Sequence, residues 1–303
     1  MIEIFKALSD PCRLRLVTIL LRGEFTVQEL TEIIGTGQSR ISHHLKALNE
    51  AGLLIVKRQG TWSYYRVCDN NPFFSSLREV IEPQLELLPE RSSDLAAVAK
   101  ALEARRRKSQ EFFDLHAMQW DELSRRLLPL PHYQNRLLEA VPSGANILEI
   151  GAGTGELLLK LAYVAGKIVG VDHSPAMLDE AKRKVAAQGV DNIELRLGEM
   201  NHLPLPDSSV DCVVANMVLH HAADPFSVMT EIRRVLKGCG LLLIADLARH
   251  EREAARDQLA DQWLGFEENE LEGWLINAGF SKLIFDRLVG SAGQESVLII
   301  RAK

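Results

Sequence analysis

A run of alternating glycines between two apolar segments is the part of this 303-residue sequence with the clearest chemical signal. The segment ILEIGAGTGELL, residues 147–158, predicts a strand, a loop carrying Gly151, Gly153 and Gly155, and the start of a helix. Glycines at such a turn let a ligand approach the backbone closely. Asp172 ends the next predicted strand, where its carboxylate can accept hydrogen bonds from a ribose. Together these residues predict a site for a nucleotide-like cofactor.

A second group of candidate functional residues lies near the N-terminus, in QSRISHHLKALNEAG, residues 38–52. Ile41, Leu45 and Leu48 recur at helical spacing and should be buried on one face. The opposite face presents short or basic hydrogen-bonding side chains, namely Gln38, Ser39, Arg40, Ser42, His43 and Lys46. Two short helices around a glycine turn, the second with such a face, predict a helix-turn-helix that enters the major groove of DNA.

Two β-prone runs around Gly60 follow this helix and predict a hairpin. The hairpin carries Lys57, Arg58 and Arg66 where a wing would meet phosphates. Such contacts set affinity and salt dependence rather than sequence choice. The alternative is that the helices and the hairpin form only a stable small fold with a solvated basic face.

Local signals predict the helices that hold these groups. Asp10 and Pro11 predict the N-cap and first position of a helix, and Thr26 with Glu29 predicts a capping box. Residues 72–110 are predicted to be helical, with RSSDL (91–95) as a position for a helix break, and the charge run EARRRKSQ follows. The boundary between two domains is expected in this stretch.

From residue 145 onward, strand-like and helix-like segments alternate. This alternation predicts an α/β Rossmann-like domain with a mostly parallel sheet and helices on both faces. A helix over residues 266–279 precedes SKLIFDRLV and ESVLIIRAK, which predict a hairpin at the sheet edge. Ligands of such sheets bind at the carboxyl ends of the strands, where the glycine loop and Asp172 lie.

Charge and composition agree with a DNA-binding module joined to a second domain. The net charge is −6, yet residues 1–68 hold nine basic against six acidic side chains. The four cysteines are scattered, as is usual in a reducing compartment. With neither an apolar run long enough for a membrane helix nor a signal-peptide pattern, we expect a cytoplasmic protein without membrane contact.

The N-terminal motifs ALSDPCRLRLV, TVQEL and QSRISHHLKALNEAGLL, with the hairpin, resemble the winged-helix repressors of the ArsR/SmtB family over roughly the first ninety residues. The resemblance implies a homodimer on double-stranded operator DNA, with two recognition helices about one DNA turn apart. One departure is Gly37, where the family commonly has a serine that caps the recognition helix; glycine is also a tolerable N-cap.

Many members of this family sense metals, but their two usual sites would fall here on VQELTEIIG, without cysteine, and FFSSLREVIEPQLELL, without histidine or cysteine. Carboxylates alone are poor ligands for soft metals, so we expect no metal at either site. Cys12 and Cys68 could form a redox pair, although two isolated buried thiols are the simpler interpretation. His43 and His44 point to different helix faces, which does not suit shared metal ligation.

The C-terminal motifs LEIGAGTGE, VGVDHSPAML, LGEMNHLPLPDSSVDCVV, VLHHAADP and RRVLKGCGLLLIAD resemble the class I S-adenosylmethionine (SAM)-dependent methyltransferases. The similarity covers residues 110–303, is greatest to the group of ubiquinone/menaquinone methyltransferases, and implies a seven-stranded sheet. It implies that SAM or S-adenosylhomocysteine (SAH) binds to Glu149, Gly151, Gly153, Gly155, Asp172, His173, Met177, Glu199, Met200 and Asn216.

Within this set, Glu149, the glycine loop and Asn216 would hold the methionine moiety, and Asp172 the ribose hydroxyls. Glu199 and Met200 would lie at the adenine, where GEM replaces the more usual GDA of the family. Core packing is the alternative for Met177 and Met200. NAD is the competing cofactor, but the GxGxG spacing and the five motifs favour SAM or SAH.

His220 and His221 follow the fourth predicted strand, toward the region where a methyl acceptor would lie. One of them could act as a general base or orient a substrate, which makes both candidate catalytic residues. The segment FFDLHAMQWDEL resembles the part of these methyltransferases that caps the cofactor, so Phe113 and Trp120 could close over the pocket or pack on the domain.

The sequence therefore predicts a winged-helix domain (1–90), a helical linker (91–111) and a methyltransferase-like domain (112–303). The favoured hypothesis is a transcriptional repressor that senses SAM or SAH, as in SAH-responsive regulators that the fusion resembles. The alternative is an active small-molecule methyltransferase that also represses transcription. A third hypothesis keeps the DNA-binding head only as a dimerisation module.

Overall fold

The computed structural model describes residues 1–68, 71–291 and 293–303. The chain divides into two compact units, Met1–Arg105 and Arg106–Lys303. No helix in the described ranges is long and apolar enough to cross a membrane.

The described part of the first unit, residues 1–68 and 71–105, contains five short to medium helices, the N-terminal part of a sixth helix and a small antiparallel sheet. Its elements are α1 (Ile2–Leu8), α2 (Pro11–Leu20), β1 (Phe25–Thr26), α3 (Val27–Ile34), α4 (Gln38–Glu50), β2 (Leu54–Gln59), β3 (Trp62–Val67) and α5 (Pro72–Leu85). The strand order is β1-β3-β2, and β2 and β3 form the predicted hairpin. Apolar side chains of α2, α3 and α4 form one core with those of the hairpin.

The helix N-caps predicted from the sequence are present in the structure. The Asp10 carboxylate accepts a hydrogen bond from the Arg13 backbone N–H and caps α2. Thr26 and Glu29 form a capping box at the start of α3, which ends at Gly35 in the left-handed region. Ile41, Leu45 and Leu48 on α4 are fully buried, as the helical spacing predicted.

Helix α6 (Arg91–His116) begins at RSSDL, so the interruption of the helical segment lies just before this motif, at residues 86–90. The division between the two compact units falls within the predicted linker, yet the helix continues through it. One long helix therefore contributes residues to each unit.

The second unit is a layered α/β domain. Its elements after α6 are α7 (Trp120–Leu127), α8 (Gln134–Ala140), β4 (Asn146–Ile150), α9 (Glu156–Leu161), β5 (Lys167–Asp172), α10 (Pro175–Gln188), β6 (Ile193–Leu197), β7 (Val210–Asn216), α11 (Pro225–Val235), β8 (Leu236–Leu247), α12 (Ala255–Gln258), α13 (Glu268–Asn277), β9 (Ile284–Leu288) and β10 (Val297–Ala302).

The described strands of this unit form one seven-stranded sheet in the order β6-β5-β4-β7-β8-β10-β9. Strands β4 to β8 are parallel, and β10 runs antiparallel between β8 and β9. The strand order reverses direction at β4, which places the carboxyl ends of β4 and β7 at the crevice where such sheets bind ligands. The predicted two-domain fold class, with its mostly parallel sheet and edge hairpin, is confirmed.

Candidate functional site

The glycine loop connects β4 to α9 and contains three residues in the left-handed region. Gly151, Gly153 and Gly155 have φ angles of +66°, +51° and +81°. A Cβ atom on Gly151 would lie 2.2 Å from Cγ2 of Val218, whereas a Cβ on Gly153 would meet open space. Gly151 is therefore required by packing, and Gly153 by its backbone conformation at the open side of the loop.

Asp172, at the end of β5, holds this loop in place. One carboxylate oxygen accepts a hydrogen bond of 2.8 Å from the Gly153 N–H, and the other accepts one of 2.9 Å from the Ser174 N–H. Burial raises the pKa of Asp172, and hydrogen bonds from the backbone oppose this effect. A carboxylate has further lone pairs, so Asp172 can still accept from a ribose hydroxyl.

Glu149 is a buried carboxylate on β4 whose Oε2 atom has no hydrogen-bond partner in the described part of the chain. Burial and the nearby charge of Asp172 raise its pKa well above the usual range. An unsatisfied buried acceptor beside a cavity is a ready site for a ligand ammonium or hydroxyl group. The methionine moiety of SAM or SAH would supply such a group, so the residues present fit this cofactor.

Several of the predicted site residues line one cavity of about 690 Å³, a size typical of small-molecule sites. They are Glu149, Gly151, Gly153, Asn216, His220 and His221. A smaller cavity is lined by His173, Glu199 and Met200, and His221 borders both. Gly155, Asp172 and Met177 line neither of these two cavities. Residues predicted to hold the methionine moiety of the cofactor thus line the larger cavity, and residues predicted to lie at the adenine line the smaller one. His221 lines both cavities.

An aromatic cluster lies beside His221. Phe113 packs edge-on against His221 at 4.9 Å and against Trp120 at 5.0 Å, measured between ring centroids. It also packs with Met177, whose side chain is buried in this cluster. Phe113 and Met177 are thus packed in the core of this cluster and line neither of the two cavities, whereas Trp120 and His221 line the larger cavity.

His220 is fixed by a carboxylate that sequence reasoning did not identify. Its Nδ1 atom lies 2.6 Å from Asp246 Oδ1, and Asp246 Oδ2 accepts from the Leu219 N–H at 2.9 Å. Burial alone would lower the pKa of His220, but the charges of Asp246 and Asp261 raise it to about 9. His220 is therefore protonated at neutral pH and is a poor general base.

Asp261 and His221 complete the polar wall of the larger cavity. Both Asp261 oxygens are buried without a hydrogen-bond partner among described residues, and burial raises its pKa to about 6. Oδ1 of Asp261 lies 3.8 Å from His220 Nε2 and 3.8 Å from His221 Nδ1. Burial and the charge of His220 lower the pKa of His221 well below its usual value. His221 is therefore neutral and only weakly basic, and Asp261 is the better placed of the two to accept a proton.

The predicted DNA-contacting residues of α4 share one exposed face. Gln38, Ser39, Arg40, Ser42, His43 and Lys46 are all exposed, and Ile41, Leu45 and Leu48 on the same helix are buried. On the hairpin, Arg58 is exposed and Lys57 is half-buried. Their roles in DNA binding stay predictions, and their exposure is the condition that such contacts require.

Comparisons with known proteins identify both parts of the chain. Residues 10–56 match the family described as bacterial regulatory protein, arsR family, and residues 142–278 match a methyltransferase domain. The chain joins an ArsR-family domain to a methyltransferase domain. The first match covers the helix-turn-helix, and the second covers the glycine loop, Asp172 and the polar wall of the cavity.

Two curated relatives show the range of proteins that share these sequences. The arsenite methyltransferase of Halobacterium salinarum is 35% identical over 36% of this chain and 29% of its own length. The demethylmenaquinone methyltransferase of Symbiobacterium thermophilum is 34% identical over 45% of this chain and 52% of its own length. The chain thus spans between about a third and half of these relatives.

Among solved structures, a SAM-dependent methyltransferase from Aquifex aeolicus matches the fold with a TM-score of 0.50. The sequence identity is 24%, and the match covers 62% of this chain and 97% of the other. This likeness shows the methyltransferase fold.

Proposed function

We propose that the protein is a DNA-binding transcriptional regulator whose methyltransferase domain binds SAM or SAH and couples the bound cofactor to affinity for operator DNA. The observation that carries this proposal is helix α6. Its N-terminal part makes buried ion pairs with the ArsR-family domain, and its C-terminal part is bonded to the segment that follows Asp172.

The N-terminal part of α6 is held by two arginine–carboxylate pairs. Asp94, which is almost fully buried, accepts two hydrogen bonds of 2.7 and 2.8 Å from Arg15 on α2. Arg105 donates to both oxygens of Glu29, the capping-box residue of α3, at 2.8 Å each. Bidentate pairs of this kind define orientation strongly. Movement of this part of α6 would therefore disturb α2 and α3, which support the recognition helix.

The C-terminal part of α6 contacts the predicted cofactor residues. Gln110 donates a hydrogen bond of 2.9 Å to the His173 carbonyl oxygen, and the Asp114 carboxylate accepts one of 2.6 Å from the Ser174 hydroxyl. A cofactor bound beside Asp172 and His173 would favour one position of this segment, and hence one position of α6. A ligand shifts a two-state equilibrium only by its differential affinity for the two states, which is the coupling proposed here.

The proposal includes a homodimer, as in the family that the N-terminal domain belongs to. Apolar side chains are exposed on α1 and α5, including Phe5, Phe73 and Val80. Phe5 and Phe73 pack edge-on at 6.0 Å, so the exposed apolar surface of the two helices is continuous. A surface of this kind on a single chain is typical of a protein–protein contact.

The direct test titrates the purified protein onto DNA from upstream of its own gene, at fixed salt, with SAM, with SAH and without ligand. Fluorescence anisotropy of labelled DNA measures the affinity. We expect at least one of the two ligands to change the dissociation constant for DNA at least fivefold relative to the unliganded protein. We also expect the constants measured with SAM and with SAH to differ from each other. Identical constants in all three titrations would exclude the sensor function.

The polar wall of the cavity favours methyl transfer as a second function. SAM supplies an electrophilic methyl group, and Asp261 can accept the proton that a hydroxyl or amine acceptor loses. The names of the two curated relatives refer to arsenite and to demethylmenaquinone, a naphthoquinone. Arsenite binds thiolates, and the described residues that line the cavity include no cysteine, so an organic oxygen acceptor suits this site better.

This second function is tested by following SAH formation from SAM with a reduced naphthoquinone and, separately, with arsenite. A methyltransferase of the proposed kind forms SAH with the quinol at a rate that Asp261→Asn lowers at least tenfold while SAM affinity is retained. Turnover with arsenite but not with the quinol would reject the proposed class of methyl acceptor. No turnover with either compound would reject methyl transfer to both, and DNA-binding regulation would then be the one function still proposed.

A further inference from the structure

A buried histidine of helix α4 lies beside a cysteine of α2 and the aspartate that caps α2, all three in the first unit. His44 is on the inner face of α4, Cys12 is in the first turn of α2, and Asp10 is the N-cap of that helix. One ligand atom from each lies within 4.8 Å of the others, and Oδ1 of Asp10 is 3.8 Å from Nδ1 of His44.

The histidine is not satisfied by the protein around it. Its side chain is 8% exposed, and neither ring nitrogen has a hydrogen-bond partner in the part of the ArsR-family domain that the structure describes. A buried imidazole without a partner is costly, because at least one ring nitrogen must be desolvated for no gain. The ring lies against a thiol and a carboxylate, both of which are metal ligands.

We propose that Asp10, Cys12 and His44 bind a divalent metal ion of the zinc type, with a fourth coordination position open to water. Nitrogen, sulfur and oxygen donors in one cluster match the ligand preferences of zinc and cobalt(II). Metal–ligand bonds of about 2.0–2.3 Å require donors roughly 3.3–3.8 Å apart, so the widest separation must close by about 1 Å. Rotation of the Cys12 and Asp10 side chains, which are only partly buried, can provide this movement.

Binding is balanced in charge and protons. The Cys12 thiol releases one proton to solvent, and the resulting thiolate together with the Asp10 carboxylate neutralises the two charges of the ion. Neutral His44 contributes one ring nitrogen. The site differs from the two metal positions considered from sequence, since those fall on α3 and α5, whereas this one joins α2 to α4.

The metal would act on DNA binding through the recognition helix itself. His43, the residue before His44, lies on the exposed face of α4 that also carries Arg40. A metal–ligand bond at His44 would therefore fix the position of this face relative to α2. The effect needs no cofactor in the methyltransferase domain. It therefore adds a second input to the proposed regulator and does not depend on SAM or SAH binding.

The test uses cobalt(II) as the probe, added to the reduced full-length protein after chelator treatment. Absorption spectroscopy reports a thiolate-to-cobalt charge-transfer band and the visible bands of tetrahedral cobalt, and competition with zinc gives the affinity. We expect one ion per chain, loss of the charge-transfer band in Cys12→Ser, and at least tenfold weaker binding in His44→Gln.

Matched variants separate this site from other thiols and imidazoles. Cys68→Ser and Cys239→Ser remove the two other thiols that are not fully buried, and His43→Gln removes the neighbouring exposed imidazole. Asp10→Asn keeps a good N-cap while removing the charge, so it should weaken metal binding without unfolding α2. The proposal is overturned if the band persists in Cys12→Ser, or if it disappears in Cys68→Ser or Cys239→Ser while Cys12 is intact.

Discussion

At the scale of single residues, the larger cavity is lined by the buried carboxylates Glu149 and Asp261, and a third buried carboxylate, Asp172, lies beside the glycine loop. Asp172 is occupied by two backbone N–H groups and shapes the loop, whereas Glu149 and Asp261 keep oxygens that no described residue bonds. Unsatisfied buried acceptors are costly in a free protein and are relieved by a ligand that donates to them. We therefore expect ligand binding to raise the stability of the methyltransferase domain measurably.

Gly153 tests where the cofactor approaches the loop. In Gly153→Asp the new side chain would point into open space beside the loop, so it should block close approach and repel a ligand carboxylate, lowering SAH affinity by at least about a hundredfold. Gly189→Asp is the matched control, because Gly189 also has a positive φ angle and open space, at the C-cap of α10. Isothermal titration with SAH measures both; retained affinity in Gly153→Asp would contradict the site.

The ion pair of His220 and Asp246 makes stability depend on pH. The folded-state pKa of His220 is raised to about 9 from an ordinary value of 6.5, so its contribution to stability is complete below about pH 6.5 and is lost as pH rises through 9. We expect the free energy of unfolding of the methyltransferase domain to fall across this window by a few kcal/mol, on the order expected for a shift of this size.

His220→Gln should flatten this pH dependence, whereas substitution of the exposed His132 by glutamine should leave it unchanged. Chemical denaturation at several pH values between 6 and 10 gives the free energies of unfolding. Parallel curves for the wild type and His220→Gln would show that the pair does not titrate in this range.

Sequence reasoning found one half of this polar wall and missed the other. His220 and His221 were visible because they follow a strand end at a spacing typical of the resembled methyltransferases. Asp246 and Asp261 lie far along the chain, and only the sheet order brings the end of β8 beside the end of β7. The one available signal was that LLLIAD also ends in an acidic residue at the carboxyl end of a strand.

At the scale of elements, the helices and strands were predictable where local chemistry defines them. The capping box at Thr26 and the apolar stripe of α4 needed no tertiary information, and both are present. The start of α6 was less well predicted, because RSSDL contains both helix-starting and helix-breaking residue types. Ser93 and Asp94 lie in its first turn, where the buried pair with Arg15 stabilises the helix, and that partner is distant in sequence.

The recognition helix carries a prediction of its own. Arg40→Ala removes an exposed guanidinium from the face predicted to enter the major groove, so operator affinity should fall by about tenfold, whereas SAH affinity should not change. Asn49→Ala is the control, because Asn49 is exposed near the C-terminal end of the same helix and outside the predicted contact set. Anisotropy titrations on one DNA fragment at one salt concentration compare them; unchanged affinity in Arg40→Ala would remove this residue from the contact surface.

At the scale of the whole molecule, the fusion matters only if the two ligand sites affect each other. Coupling through α6 would have to be reciprocal: if SAH changes the affinity for operator DNA by a given factor, DNA changes the affinity for SAH by the same factor. A factor that differs from one separates a regulator from an enzyme that merely carries a DNA-binding domain, since in the latter case both factors equal one.

The last prediction therefore measures the factor in both directions and weakens the helix contact that should carry it. In the double variant Gln110→Ala/Asp114→Ala, α6 loses its hydrogen bonds to the backbone at His173 and to the Ser174 hydroxyl, so both factors should move toward one. Lys108→Ala, an exposed position on the same helix, should keep them. Anisotropy with and without saturating SAH, and calorimetry with and without operator DNA, give the two factors. If the double variant retains the full wild-type factor in both experiments, the coupling does not pass through these contacts, and α6 only joins two independent domains.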